Sequence, residues 1–130
     1  MIILDTNVIS ELQKPEPSEN VIAWLDAQDP SNLYLTSVTV GELIFGAYSM
    51  PRGAKFERLS QAVSMIVEED FKGRIIPYDG TAAYYFGMRV GNARRKGKTI
   101  GLADGQIASI AIANDLAPVA TRDSKPFEML

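Results

Sequence analysis

Apolar residues along this chain fall into short blocks with two alternating periodicities. Ile2 to Leu4 is a compact apolar run that stops at Asp5, after which Val8, Ile9 and Leu12 recur at helical spacing until Lys14-Pro15. This predicts a strand followed by a helix. A second helical stretch (Val21, Ile22, Trp24, Leu25) follows Pro17-Ser18 and ends at the turn signal Asp29-Pro30. Leu33 to Thr36 reads as a strand. Thr36, Ser37 and Thr39 offer capping oxygens for a helix carrying Val40, Leu43, Ile44, Ala47 and Tyr48, closed by Pro51 and Gly53. Phe56, Leu59, Val63 and Ile66 mark an amphipathic helix. Ile75-Ile76 is a third strand, and Asp79 caps a helix whose stripe runs through Ala82, Tyr85, Phe86, Val90 and Ala93 into Arg94-Arg95-Lys96-Gly97-Lys98. Leu102 to Asn114 is nearly all apolar, as expected of a helix buried on most sides, and Pro118 to Thr121 is a fourth strand. Strands separated by helical segments, with no tight hairpin between them, predict an α/β fold with a parallel sheet and helices on both faces.

Composition narrows the chemistry more than the fold. At 130 residues, 46% hydrophobic and 22% charged, residues 1–130 are expected to form a single domain. No apolar run approaches the roughly 18 residues that span a bilayer, and the segment Met1 to Asn7 lacks the basic start of a signal peptide, so a cytoplasmic protein without membrane contact is expected. The chain has no Cys and no His. That excludes disulfides, a thiolate nucleophile, an imidazole base and zinc sites built on either residue. Sixteen acidic residues against thirteen basic ones give a net charge of -3, so any attraction to nucleic acid must come from a local patch.

Where the acids fall is therefore informative. In an open parallel sheet, ligands bind beyond the C-terminal ends of the strands. Asp5 ends the first predicted strand and Asp123 lies two residues past the fourth. Glu42 has Val38, Thr39, Phe45 and Gly46 three and four positions away, a mostly non-solvated helix face, and Asp104 opens the apolar helix. Three of the four have structural explanations as well: Asp5 as an N-cap, Asp104 as a partner of the helix dipole, Asp123 in an Asx-turn. Glu42 is harder to explain that way: unless it snorkels, a carboxylate on such a face needs a partner, and no Lys or Arg stands at helical spacing from it. If all four share one pocket, each pair about 5 Å apart repels by roughly 3 kcal/mol at an effective dielectric of about 20. Such a cluster needs protons or cations. All-oxygen sites select hard ions, so Mg²⁺ or Mn²⁺ is expected, and these clamp phosphoryl oxygens and acidify bound water.

The segments Ile3-Leu4-Asp5-Thr6-Asn7, Ser37 to Glu42-Leu43, Ala103-Asp104 and Ala120-Thr121-Arg122-Asp123 resemble the PIN-domain ribonucleases. More closely they resemble the VapC-type toxins of prokaryotic toxin-antitoxin pairs, especially the FitB-like branch. The resemblance covers nearly the whole chain in order. It implies a PIN-like α/β/α sandwich in which Asp5, Glu42, Asp104 and Asp123 match the acidic catalytic and metal-binding quartet. Thr6, Asn7 and Thr121 match the positions that orient it. It also implies Mg²⁺- or Mn²⁺-dependent endonucleolytic cleavage of RNA, often a structured RNA such as tRNA, by a homodimer that a small DNA-binding antitoxin neutralises in a hetero-oligomer. In relatives a last short strand follows the closing motif, whereas this chain ends at Phe127-Glu128-Met129-Leu130, so the last edge strand is expected to be missing.

Arg94, Arg95, Lys96 and Lys98 are candidate RNA contacts, and they equally complement the dipole at a helix C-terminus. Three other functions share parts of the pattern. A nucleophilic-aspartate phosphatase also starts with a strand ending in Asp but expects a second Asp where Asn7 stands. A phospho-receiver module needs a late Lys, for which Lys125 is the candidate. The third is a non-catalytic partner that strengthens DNA binding by an antitoxin.

Overall fold

The computed structural model describes residues 1–130. Four strands, β1 (Ile2–Leu4), β2 (Leu33–Thr36), β3 (Ile75–Ile76) and β4 (Val119–Ala120), form one sheet of order β3-β2-β1-β4 in which every pairing is parallel. Seven helices connect and follow them: α1 (Thr6–Leu12), α2 (Glu19–Asp26), α3 (Ser37–Tyr48), α4 (Ala54–Met65), α5 (Gly80–Arg95), α6 (Leu102–Ala113) and α7 (Lys125–Glu128). The predicted α/β architecture and its helix and strand order are present. A 3-10 turn at Pro30–Asn32 and a π turn at Ile66–Asp70 add to it.

The strand order explains the layers. The chain steps from β1 outward to β2 and β3, then returns to place β4 on the other side of β1. Because parallel crossovers are right-handed, reversing the direction of travel moves the connecting helices to the opposite face. Successive residues of β1 divide accordingly. Leu4 packs with Val8, Ile9, Leu33, Leu35, Leu43, Val63 and Phe71, drawn from α1, β2, α3, α4 and the chain just past the π turn. Ile3 packs with Ala82, Ile107, Ile110 and Ala111 of α5 and α6. The centre of α6, Ile107 to Ala111, is buried throughout. The Cβ position of Gly105 lies 3.0 Å from Phe86 and 3.1 Å from Val90, so a side chain there would press α6 off α5.

The reversal also fixes where a ligand can sit. A topological switch point opens a crevice beyond the carboxyl ends of the strands that flank it, here β1 and β4. Register places Leu4 opposite Ala120, and the Asp5 N–H donates to the Ala120 carbonyl at 2.9 Å. Asp5 and Thr121 therefore leave the sheet side by side. β4 is the edge strand on this side and is followed by α7.

Candidate active site

Asp5 is buried and both of its carboxylate oxygens are engaged. Oδ1 accepts from the Thr6 N–H at 2.8 Å, capping α1, and Oδ2 accepts from the Thr121 hydroxyl at 2.8 Å. The N-cap reading of Asp5 is thus observed, and the same carboxylate also reaches the end of β4. Thr121 is the hub of the β4 end: its Oγ1 also accepts from the Asn7 amide at 3.2 Å and from the Asp123 N–H at 3.0 Å. Asn7 returns through its carbonyl oxygen, which accepts from the Arg122 N–H at 3.1 Å. Asp123 is exposed, and its Oδ1 accepts from the Lys125 N–H at 3.3 Å, the Asx-turn expected of it.

Glu42 departs from expectation. Its side chain is solvated: Glu42 is exposed together with Phe45 and Gly46, Phe45 with 74% of its surface in solvent. Of the four neighbours at helical spacing, Thr39 is buried and Val38 packs against the Ile3 cluster, whereas Phe45 and Gly46 are exposed, so the sequence pattern holds on the N-terminal side of Glu42 and fails on the C-terminal side. The carboxylate is nevertheless held, by the Thr6 hydroxyl at 2.7 Å. Behind it lies a row of hydroxyls, with Thr39 Oγ1 at 2.8 Å from Thr6 Oγ1 and Thr36 Oγ1 at 3.4 Å from that of Thr39. Thr36 caps α3 by accepting from the Thr39 N–H at 3.1 Å. With Thr6 donating to the carboxylate, this row runs from the end of β2 to Glu42. Thr39 stands three residues before Glu42 on the same helical face, the one signal in the sequence that marks it.

Asp104, half-buried in the first turn of α6, has no hydrogen-bond donor of its own. Burial raises its pKa above the ordinary 3.8, and the charges of Asp5, Glu42 and Asp123 raise it further, in that order. Burial also raises the pKa of Asp5; the bonds from Thr121 and Thr6 oppose this and the charge of Asp123 adds to it. The four acids therefore share one electrostatic field. The two ion pairs of the chain both belong to Glu11, so none of the four has a basic side chain to neutralise it. No three acidic groups lie close enough, with the side chains as placed, to ring an ion. A Mg²⁺-like cation keeps several waters and needs only one or two carboxylates directly, so an all-oxygen, uncompensated donor set still fits one.

Glu11 is a supporting residue that sequence reasoning missed. Buried in α1, it pairs with Arg122, with Lys14 at 2.8 Å and with the Ser18 N–H at 2.9 Å. The partner that matters is 111 residues away, and nothing local in the sequence marks it. The pair clamps the loop bearing Asp123 onto α1. Chiefly the Lys14 bond, then the Ser18 N–H and the Arg122 charge, hold the Glu11 pKa below 4.5. A lowered native pKa contributes stability that is present above the unfolded value and disappears as pH falls through the native one. Glu11→Gln is expected to lower the melting temperature by several degrees at pH 7, with the gap from wild type closing in acid. A gap independent of pH would contradict this account.

Arg94, Arg95, Lys96 and Lys98 are all exposed and unpaired, and none contacts the acids. They stand where α5 ends and the six residues 96–101 lead into α6, at the same end of that helix as Asp104.

A parallel sheet with helices on both faces and four carboxylates beyond its strand ends is the arrangement of the PIN nuclease fold. The PIN domain model matches residues 2–129, and the chain belongs to that family. Among individual proteins, it is 45% identical to the VapC ribonuclease Y4jK of Sinorhizobium fredii over 98% of this chain and 91% of that protein. It is 41% identical to the toxin FitB of Neisseria gonorrhoeae over the same shares. The structure of FitAB bound to an IR36 DNA fragment superposes with a TM-score of 0.91 at 39% identity, covering 99% of this chain and 90% of that one.

Proposed function

We propose that this chain is a divalent-cation-dependent endoribonuclease that acts as the toxin of a toxin-antitoxin pair. The observation that carries the reading is the coupled set Asp5, Glu42, Asp104 and Asp123, which lies at the sheet's switch point with no basic side chain to neutralise it. The kinship with a VapC ribonuclease and with toxin FitB supports both halves of the reading. Asp5, Glu42 and Asp104 would hold Mg²⁺ or Mn²⁺ directly or through water, with Asp123 in support. Such an ion, when bound, neutralises phosphoryl oxygens and lowers the pKa of a water. The chain's own contribution is orientation. Thr6 fixes Glu42, Thr121 fixes Asp5, and Asn7 ties Thr121 to the Arg122 backbone. Arg94, Arg95, Lys96 and Lys98 supply the positive potential that draws an RNA backbone toward an acidic centre.

The resemblance to a DNA-bound FitAB complex supports a small DNA-binding antitoxin as partner, and with it a regulatory role beside catalysis. The exposed apolar residues Phe45 and Leu102 beside Glu42 are candidates for the homodimer contact. The phosphatase and receiver readings fit less well. The Asn7 amide is committed to Thr121 and Arg122, and Lys125 forms no ion pair with Asp5 or Asp123. No helix is long and apolar enough to cross a membrane.

Induced expression in a bacterial host tests the reading. Wild type is expected to arrest growth with loss of intact RNA, and Asp5→Asn at equal protein level is expected to be harmless. Equal arrest by both would favour the non-catalytic role.

A further inference from the structure

Between Asp79 and Asp104 the chain carries no acidic residue. The 24 residues from Gly80 to Ala103 hold five basic ones, Arg89, Arg94, Arg95, Lys96 and Lys98, and so a charge of +5, while the rest of the chain carries -8. All five are exposed and none is ion-paired. This segregation goes beyond what a helix dipole asks for, since the dipole acts only on the last turn. Arg89 lies well before that turn.

The outer face of α5 adds two features. Tyr84 exposes 68% of its surface and is braced edge-on by Tyr85, with ring centroids 5.9 Å apart. Gly87, Gly91 and Arg95 follow it at helical spacings of three, four and four, along one face about 16 Å long. A Cβ at Gly87 or Gly91 would meet nothing within 4 Å, so both glycines weaken helix propensity without any close approach inside the fold to require them. A flat aromatic, a floor without side chains and a cationic end are the parts of a single-strand nucleic-acid track, which stacks bases on aromatic rings and follows phosphates with basic side chains.

We propose that the outer face of α5 and its C-terminal loop form a track for single-stranded RNA, with a base stacked on Tyr84, the backbone crossing Gly87 and Gly91, and phosphates held by Arg95, Lys96 and Lys98. This rests on the ribonuclease reading and deepens it. The track extends a helix length away from Asp104, so the substrate is an extended or looped-out strand rather than a short oligomer.

The test is binding of a labelled single-stranded RNA oligonucleotide, long enough to span α5, by fluorescence anisotropy in EDTA across a salt series. With the three phosphates held by Arg95, Lys96 and Lys98 neutralised, log K should fall with log salt at a slope of about -2. Arg95→Ala and Lys98→Ala should each flatten the slope by about 0.7. Tyr84→Ala should weaken binding about tenfold at unchanged slope, and Tyr84→Phe should restore it. Melting temperatures establish that each variant is folded. Binding indifferent to Tyr84, Arg95 and Lys98 would overturn the track. So would a change in solution mass for Tyr84→Ala or Gly91→Leu at unchanged RNA affinity, which would make this face a protein contact. Because EDTA separates binding from cleavage, the two readings fail differently. An inactive protein with intact track binding counts against the nuclease, and an active one whose binding ignores these variants counts against the track.

Discussion

Asp104→Asn is expected to reduce RNA cleavage by about a thousandfold or more while making the cation-free protein more stable at neutral pH. The rate loss follows from removing a ligand to a cation that supplies several kcal/mol of transition-state charge stabilisation, each 1.36 kcal/mol being tenfold. The stability gain follows from electrostatics. Burial and the charges of Asp5, Glu42 and Asp123 raise the native pKa of Asp104 above 3.8. A raised native pKa means that stability is full below the unfolded value and declines as pH rises through the native one. Wild type bears that loss wherever Asp104 is ionised, and the asparagine variant does not. Its melting temperature should exceed wild type by a few degrees at pH 7, with the two curves converging toward pH 3.8. Adding Mg²⁺ should raise the melting temperature of wild type more than that of the variant. Thermal denaturation across pH, with and without the ion, measures both effects. A variant that is both less stable at neutral pH and fully active would place Asp104 in a purely structural role.

Thr121→Val is expected to cost about ten- to a hundredfold in cleavage, the usual effect of losing a residue that orients a metal ligand. Valine keeps the shape and removes the hydroxyl. That takes away the donor to Asp5 Oδ2 and the acceptor shared by the Asn7 amide and the Asp123 N–H. Its signature is a change in cation dependence: Asp5 loses one of the two bonds that oppose its raised pKa, so the acid limb of the rate profile should move to higher pH and half-saturation to higher Mg²⁺. Thr121→Ser should restore both. A Thr121→Val enzyme that is slower at every pH and ion concentration by one constant factor would indicate loss of packing alone.

How much of this was readable in the amino-acid order depends on range. Asp5 and Asp123 could be placed at one rim because a parallel sheet must deliver its strand ends to one edge, and only the strands had to be found. Asp104 followed from an acid at the mouth of an apolar helix, and Thr36 and Asp79 from capping chemistry that acts over three residues. Glu42 was singled out for a reason the structure supports only in part. Val38 and Thr39 before it are covered by the chain, whereas Phe45 and Gly46 after it are solvated. The Glu11–Arg122 clamp was invisible, as a pair 111 residues apart has no periodicity to announce it. The hydroxyl row Thr36, Thr39 and Thr6 spans two elements, of which only the capping half is local. The acid-free stretch from Gly80 to Ala103 was present in the composition all along, but the net charge of -3 averages it away.

The central claim is that the four carboxylates act by holding a divalent cation for RNA hydrolysis. It is tested most directly by incubating the purified chain with RNA in EDTA, in Mg²⁺ and in Mn²⁺, beside Asp5→Asn, and following new RNA ends. The account predicts cleavage only with an ion present and none from Asp5→Asn under any condition. Cleavage that survives EDTA, or that Asp5→Asn performs at the wild-type rate, would contradict it.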